Sequence, residues 1–283
     1  MARLLSLVSL ATSGLLANTL ALSADDAAAA TAAAVATQIS LKRVAPCGLG
    51  CKLHILNETV KTHNAGCLDG SPPGFYFRPG RGADRSNFIL WSHGGGWCRS
   101  EGECAGRAMT YEGSSTRNSP LGPPRQNMNA GIMSSNCAHN PKFCNWTVAY
   151  FIYCDGGSWT GDRDQPVPTS QAEYADPPVS EVHFKGKRNL QAIMDTLISG
   201  PAFGLGSAAK VIYAGASAGG LSTYLHCDAV AAMLPASNVR CLGDAGFFLD
   251  HPSVTGASPY RRDMKYLFNM VTAADCHWVY YRS

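Results

Sequence analysis

Charge is scarce in this 283-residue chain: Asp, Glu, Lys and Arg make up 15% of it, and the formal net charge is only +3. The basic residues stand singly, so the electrostatic footprint of a nucleic-acid binder is missing and no nucleic-acid partner is expected. No paired C-x-x-C motif occurs, and no His-x-x-x-His stands near the cysteines to complete a four-ligand zinc site; no metal is expected. Neither G-x-G-x-x-G nor a phosphate loop ending in Gly-Lys-[Ser/Thr] is present, which leaves dinucleotide and P-loop chemistry without a carrier. Beyond the N-terminus, no apolar run is long enough to cross a bilayer.

What is there describes a loop-rich folded protein: 46% apolar residues, 29 Gly and 16 Pro. The length suits one α/β domain, since such folds often run to about 250 residues around one core. Met1-Ala-Arg3 gives a basic start, and Leu4 to Leu22 forms a mostly apolar run closed by Ala21-Leu22-Ser23, which is signal-peptide grammar. Residues 1–24 are therefore expected to be a signal peptide cleaved near Ser23 or Ala24, and 25–40 an Ala-rich linker. The alternative is an uncleaved anchor. Ser6, Ser9, Thr12, Ser13, Asn18 and Thr19 dilute the run, and no stable membrane insertion is expected.

Export gives the cysteines a meaning. Eleven of them in an oxidising compartment read as a disulfide framework, with the odd count leaving at least one thiol unpaired or paired outside the chain. Two N-x-[ST] triplets, at Asn57 and Asn145, fit glycosylation of surface loops in a secreted protein.

Residues 41–252 read as one α/β domain and 253–283 as a divergent tail. The segment from Gln38 to Gly74 carries turn residues and little periodicity, as an irregular or short-stranded lead-in. Buried strands are expected over 87–91 and 148–154, a helix over 187–198, a strand over 210–214, a helix from Leu221 to about Leu234, and a short strand over 239–242. One further strand fits at 266–271. Strands alternating with helices indicate a doubly wound, mostly parallel sheet whose ligands gather at the carboxyl ends of the strands.

Two of those ends carry chemistry. Gly215-Ala216-Ser217-Ala218-Gly219 is a G-x-S-x-G pentapeptide between a β-branched strand and a helix, the context of a nucleophile elbow. Glycines are needed there because the serine sits on a strained turn against neighbouring backbone. His93-Gly94-Gly95-Gly96-Trp97 follows an earlier strand, where main-chain amides approach a substrate carbonyl. The amides of Gly96, Trp97 and Ala218 are the candidate oxyanion donors for an acyl group on Ser217. A glycine-rich turn with a packed Trp is the bland alternative.

A base for Ser217 is harder to find. His226, His251 and His277 alone follow it in the sequence. His226 lies about 13 Å along the same helix at 1.5 Å per residue, too far to reach Ser217. His251 follows Phe247-Phe248-Leu249-Asp250 and is placed to approach the site; His277 stands too close to Asp275 for two loops to carry the pair.

Assembled, these residues resemble the plant-type pectin acetylesterase family, which includes the Notum carboxylesterases. The resemblance rests on Cys67 to Pro73, Gly94 to Cys98, Tyr153 to Asp162, His183 to Gly186, Gly215 to Leu221, His226 to Asp228 and Cys241 to Asp250, in that order. It implies an α/β-hydrolase-like fold, extracellular hydrolysis of O-acyl esters with Ser217 as nucleophile, and no cofactor. An acylated polysaccharide, acetylated pectin foremost, is the implied substrate, with a lipidated protein as the alternative. It further implies bridges Cys98–Cys104 and Cys227–Cys241. The chain departs from the family at His93, where glutamate is usual, and at Ala216, where plant members often have cysteine. The family's acid and histidine lie well beyond Asp250, so the fold is expected to be incomplete at its C-terminus and no partner of Ser217 is carried over. An inactive secreted fragment or binding protein stands beside the esterase reading.

Overall fold

Phe88–Ser92 (β3) and Thr147–Phe151 (β4) are buried along their whole length, as strands covered on both faces must be. They form the centre of a six-stranded sheet in a computed structural model that describes residues 47–48, 50–119, 128–169 and 179–271. The other members are Lys52–Ile55 (β1), Gly74–Arg78 (β2), Lys210–Ala216 (β7) and Asn238–Asp244 (β8), in the order β1-β2-β4-β3-β7-β8. β1 and β2 pair antiparallel, as do β2 and β4; the pairs β4/β3, β3/β7 and β7/β8 are parallel. Val167–Pro168 (β5) and Glu181–Val182 (β6) form a separate small ribbon.

Alternation along the strands divides the core in two. Phe75, Phe77, Phe88, Leu90, Ala149, Phe151 and Tyr213 point to a face covered by helices. These are Gly186–Ser199 (α3), through Leu190, Ile193, Met194 and Leu197, and Ala218–Met233 (α4), through Ala218 and Val230. Tyr76, Ile89, Trp91, Val148 and Tyr150 point the other way, under Met128, Met133 and Trp146. Two shorter helices, Thr59–Thr62 (α1) and Glu101–Ala108 (α2), lie in connections, and Pro259–Val271 (α5) follows β8.

The topology fixes where a site can form. The chain leaves β3 for β4 on one side and returns through β7 on the other, so the carboxyl ends of β3 and β7 flank a switch point of the sheet. Ser92 and Gly215 are register partners there. The turn after β3 and the turn after β7 therefore start side by side.

Some sequence expectations differ from the structure or fall outside it. The strand expected at 266–271 is the end of α5: Tyr260, Leu267 and Val271 recur at helical spacing, and Pro259 opens the helix where its missing N–H costs nothing. β2 begins at Gly74, where the expected lead-in ends, and no element is expected over the rest of it, although all five of its residues are buried. The signal peptide over 1–24 and the linker over 25–40 lie outside the described residues, as does His277.

Candidate active site

Ser217 occupies the single position between β7 and α4, with φ 55° and ψ −121°. A residue with a Cβ adopts such a conformation only where its surroundings impose it. Here Ser217 N–H donates to the Asp244 carbonyl at the end of β8 (3.0 Å), and the Ser217 carbonyl accepts from Leu221 N–H (3.1 Å) in the first turn of α4. The side chain is left exposed while Gly215 and Ala218 on either side are buried.

The glycines of the pentapeptide answer to close backbone approach. A Cβ at Gly219 would stand 2.0 Å from the Ser92 carbonyl oxygen, and one at Gly215 would stand 2.4 Å from the Gly219 oxygen and 2.6 Å from that of Ser92. A Cβ at Gly94, in the turn after β3, would meet the Ala216 oxygen at 2.1 Å and Ala218 N at 3.1 Å. The two turns thus touch main chain to main chain. Gly96 is different: its φ is 69°, yet a Cβ there would meet nothing within 4 Å. Among the described residues no acceptor pairs with the N–H of Gly96 or Trp97, and Ala218 N–H, first in α4, has no intrahelical partner.

A third turn, after β4, supports this arrangement. Ser158 and Trp159 both have positive φ, at 55° and 65°. Trp97 Nε1–H donates to Ser158 Oγ (2.6 Å), Trp159 Nε1–H to the His93 carbonyl (3.2 Å), and Cys98 N–H to the Gly156 carbonyl (3.2 Å). Asp155 shapes the turn from inside, its Oδ2 accepting from the N–H of Gly157 and Trp159. Burial pushes its carboxyl up to about 6, with those amides and Arg107 pulling the other way. Oδ1 of Asp155 has no partner among the described residues.

Among the described residues no histidine completes a triad with Ser217. His226 is buried on α4 with Nε2 at 2.9 Å from the Trp159 carbonyl, and burial pushes it down to about 4. His251 is exposed, its Nδ1 set on the Pro252 carbonyl at 2.7 Å. His93 is packed at 5.4 Å from the Tyr150 ring and is pushed down to about 3 by burial and then by Arg107, so it stays neutral.

Around the open side of the glycine turn stand aromatic rings. Trp97 lies 6.0 Å from Phe248 and 6.3 Å from Tyr260, and Phe248 stacks on Tyr260 at 6.4 Å. Arg99 and Asp263 (3.4 Å) add a polar contact between the same segments.

Disulfides tie down each of the three turns. Cys98–Cys104 closes the segment after Trp97, Cys67–Cys154 fixes the end of β4, and Cys227–Cys241 joins α4 to β8. Cys47–Cys51 and Cys137–Cys144 lie elsewhere, and Cys276 is outside the described residues. Among the described residues no cluster of His, Cys, Asp or Glu could hold a metal, and no helix is long and apolar enough to cross a membrane. Asn57 is exposed and Asn145 half-buried.

The chain is similar to known proteins over most of its length. A family model described as Pectinacetylesterase matches residues 46–276, reaching into the stretch expected to diverge after 252. Pectin acetylesterase 7 of Arabidopsis thaliana is 37% identical over 203 residues, covering 71% of this chain and 47% of that protein. The palmitoleoyl-protein carboxylesterase Notum of Homo sapiens is 32% identical over 211 residues, covering 71% of this chain and 39% of that protein. A solved structure of the Wnt deacylase Notum from Drosophila superposes with a TM-score of 0.63 at 26% identity, over 78% of this chain and 60% of that one. The chain spans less than half the length of these curated relatives. A family match over most of the chain, on an α/β sheet with a serine elbow at its switch point, places this chain in the pectinacetylesterase family.

Proposed function

We propose that this chain is a secreted serine carboxylesterase that removes O-acetyl groups from pectin or a related polysaccharide. The observation that carries the reading is Ser217, exposed at φ 55° on the turn between β7 and α4, with the glycine turn of β3 packed against it. In this reading Ser217 Oγ adds to the acyl carbonyl carbon, and its proton passes through a general base to the departing alcohol oxygen. Water then adds to the acyl-serine and releases the acid, restoring the hydroxyl. The amides of Gly96, Trp97 and Ala218 hold the carbonyl oxygen as it becomes negative; losing one such donor typically raises the barrier by about 3 kcal/mol. No base is assigned among the described residues, because His226 is committed to Trp159 and His251 to Pro252.

Pectin is favoured by the Arabidopsis relatives at 35–37% identity. Export is favoured by the basic, then apolar N-terminus and by five disulfides in one domain. In a secretory pathway the exposed Asn57 is the preferred sugar acceptor over Asn145. The apolar rings of Trp97, Phe248 and Tyr260 favour a second reading, deacylation of a lipidated protein, since a long acyl chain would lie on such a surface.

A fluorophosphonate probe tests the core of the proposal. Labelling of the wild type that disappears in Ser217→Ala supports it, and labelling that persists removes Ser217 from the site. Acetate release from acetylated pectin, set against cleavage of a palmitoleoyl-serine peptide, then separates the two substrates.

A further inference from the structure

We infer that Arg107 and Tyr153 are positioning residues for the oxyanion site, each turning one amide of the glycine turn toward the acyl oxygen. The inference rests on the esterase reading of Ser217 and goes beyond it, since neither side chain belongs to the elbow or the glycine motif.

The argument starts from peptide geometry. In a trans peptide the C=O of one residue and the N–H of the next lie in one plane and point in opposite directions. Whatever grips a carbonyl from behind therefore aims the following N–H forward. Arg107 Nη2 donates to the Gly95 carbonyl at 2.8 Å, which fixes the plane that carries Gly96 N–H. Tyr153 Oη donates to the Gly96 carbonyl at 2.8 Å, which fixes the plane that carries Trp97 N–H. Neither of these amides has an acceptor among the described residues.

Each donor is itself held. Tyr153 is fully buried, and its oxygen accepts from Ser158 N–H at 2.9 Å, so its own proton is committed to Gly96. Burial also pushes the phenol above its ordinary range, which keeps that proton in place at any working pH. Arg107 pairs with Glu112 Oε2 at 3.2 Å, donates from Nε to the Glu112 carbonyl at 3.3 Å, and lies 5.2 Å over the Tyr153 ring. The two residues come from α2 and the segment just after β4 and pack together behind the turn.

The glycines agree with this arrangement. A Cβ at Gly95 would stand 2.3 Å from Glu112 Oε1 and 3.2 Å from Arg107 Nη2, so a side chain there would displace the carboxylate that pairs with the guanidinium. On the front, a Cβ at Gly96 would meet nothing within 4 Å. The back of the turn is filled by the clamp, and the front is open where a carbonyl oxygen would stand.

The test compares a matched aryl oxyester and thionoester on the full chain, because a thiocarbonyl sulfur accepts hydrogen bonds poorly and makes little use of the amides. Tyr153→Phe and Arg107→Met are expected to lower kcat/KM for the oxyester on the order of 10-fold or more. That is short of the roughly 100- to 1,000-fold loss seen when a donor is removed outright. The thionoester rate should change little, KM should stay near the wild-type value, and Arg107→Lys should recover part of the loss. Urea midpoints and near-UV dichroism establish that each variant folds, and the clamp is read from either residue if the other variant does not. Equal losses on both esters, or unchanged oxyester turnover, overturn the positioning role. If wild type and Ser217→Ala hydrolyse the oxyester alike, the esterase reading itself fails, a result distinct from either of those.

Discussion

Gly94 lies against the carbonyl of Ala216: a methyl group added to the first would stand 2.1 Å from the oxygen of the second. This one approach joins the turn after β3 to the elbow after β7. No rotamer can relieve the clash, because both partners are main chain.

Gly94→Ala is therefore expected to push the two turns apart. Overpacking of this kind costs about 1–3 kcal/mol, and backbone on both sides places the cost at the upper end. Ester turnover should fall with it, since the proposed Gly96 and Trp97 donors would no longer face the oxygen of an acyl group on Ser217. Gly96→Ala provides the contrast: φ is 69° but the space is open, so the expected cost is the left-handed strain alone, about 1–2 kcal/mol. Urea unfolding of both variants decides; a larger loss at Gly96 than at Gly94 would be incompatible with this packing.

Ser217 should show the opposite trade between stability and function. Its φ of 55° and ψ of −121° store strain that a serine bears and a glycine does not. Strain of about 1–3 kcal/mol is offset by about 0.5–1 kcal/mol of extra unfolded-state entropy in glycine, leaving a net gain near 1 kcal/mol. Ser217→Gly is thus expected to raise the urea midpoint while abolishing fluorophosphonate labelling. Ser217→Ala, which keeps the Cβ, should stay close to wild type in stability. A glycine variant no more stable than the alanine variant would contradict a strained elbow.

The parts legible in the sequence are those written in local pattern. Buried strands declare themselves as short apolar runs at 87–91, 148–154 and 210–214, and each ends on a glycine-rich turn. α3 announces its face through Leu190, Ile193, Met194 and Leu197. β2 escapes because the turn residues ending in Pro72-Pro73 close the lead-in at Gly74 and leave the short run after it without an assigned element, although Gly74–Arg78 is buried throughout. The end of α5 reads as a strand because Tyr-Leu-Phe-Asn-Met-Val is apolar enough for one, and its helical period shows only when Tyr260 is counted. The clamp of Arg107 and Tyr153 has no sequence signal at all. It depends on hydrogen bonds from separate connections onto one turn, which only the fold brings together.

Acid should weaken this fold, and three buried groups set the slope. His226 falls to about 4 and His93 to about 3 in the folded chain, against about 6.5 unfolded. Their neutral forms favour the fold fully above pH 6.5, and that stability is lost as pH falls toward 4 and then 3. Asp155 works the other way. Its folded value near 6 exceeds the unfolded one, so its contribution is fully present below about pH 4 and is lost as pH rises through 6. A tenfold difference in proton affinity between the folded and unfolded chain is worth about 1.4 kcal/mol at most. Between pH 6 and 4, then, Asp155 partly masks the loss from the histidines. Urea unfolding across that range should give a steeper acid loss in Asp155→Asn and a shallower one in His226→Gln. Parallel profiles for wild type and both variants would show that these groups do not titrate as their burial requires.

The disulfides separate stability from turn geometry. Cys67–Cys154 spans 87 residues and Cys98–Cys104 only 6. Loop-closure entropy assigns about 4.6 kcal/mol to the first and about 2 kcal/mol to the second. The shorter bridge nonetheless begins one residue after Trp97 and anchors α2, which carries Arg107. Replacing Cys67 and Cys154 with alanine should therefore cost more in urea unfolding. Replacing Cys98 and Cys104 should cost less there and more in oxyester turnover, with KM little changed, because the Gly96 and Trp97 amides lose their alignment while the core stays packed. The two double variants, compared by unfolding midpoint and kcat on the same ester, place the bridges on separate axes. A stability order opposite to the loop lengths would assign the larger share to native packing around Cys104, which is itself fully buried.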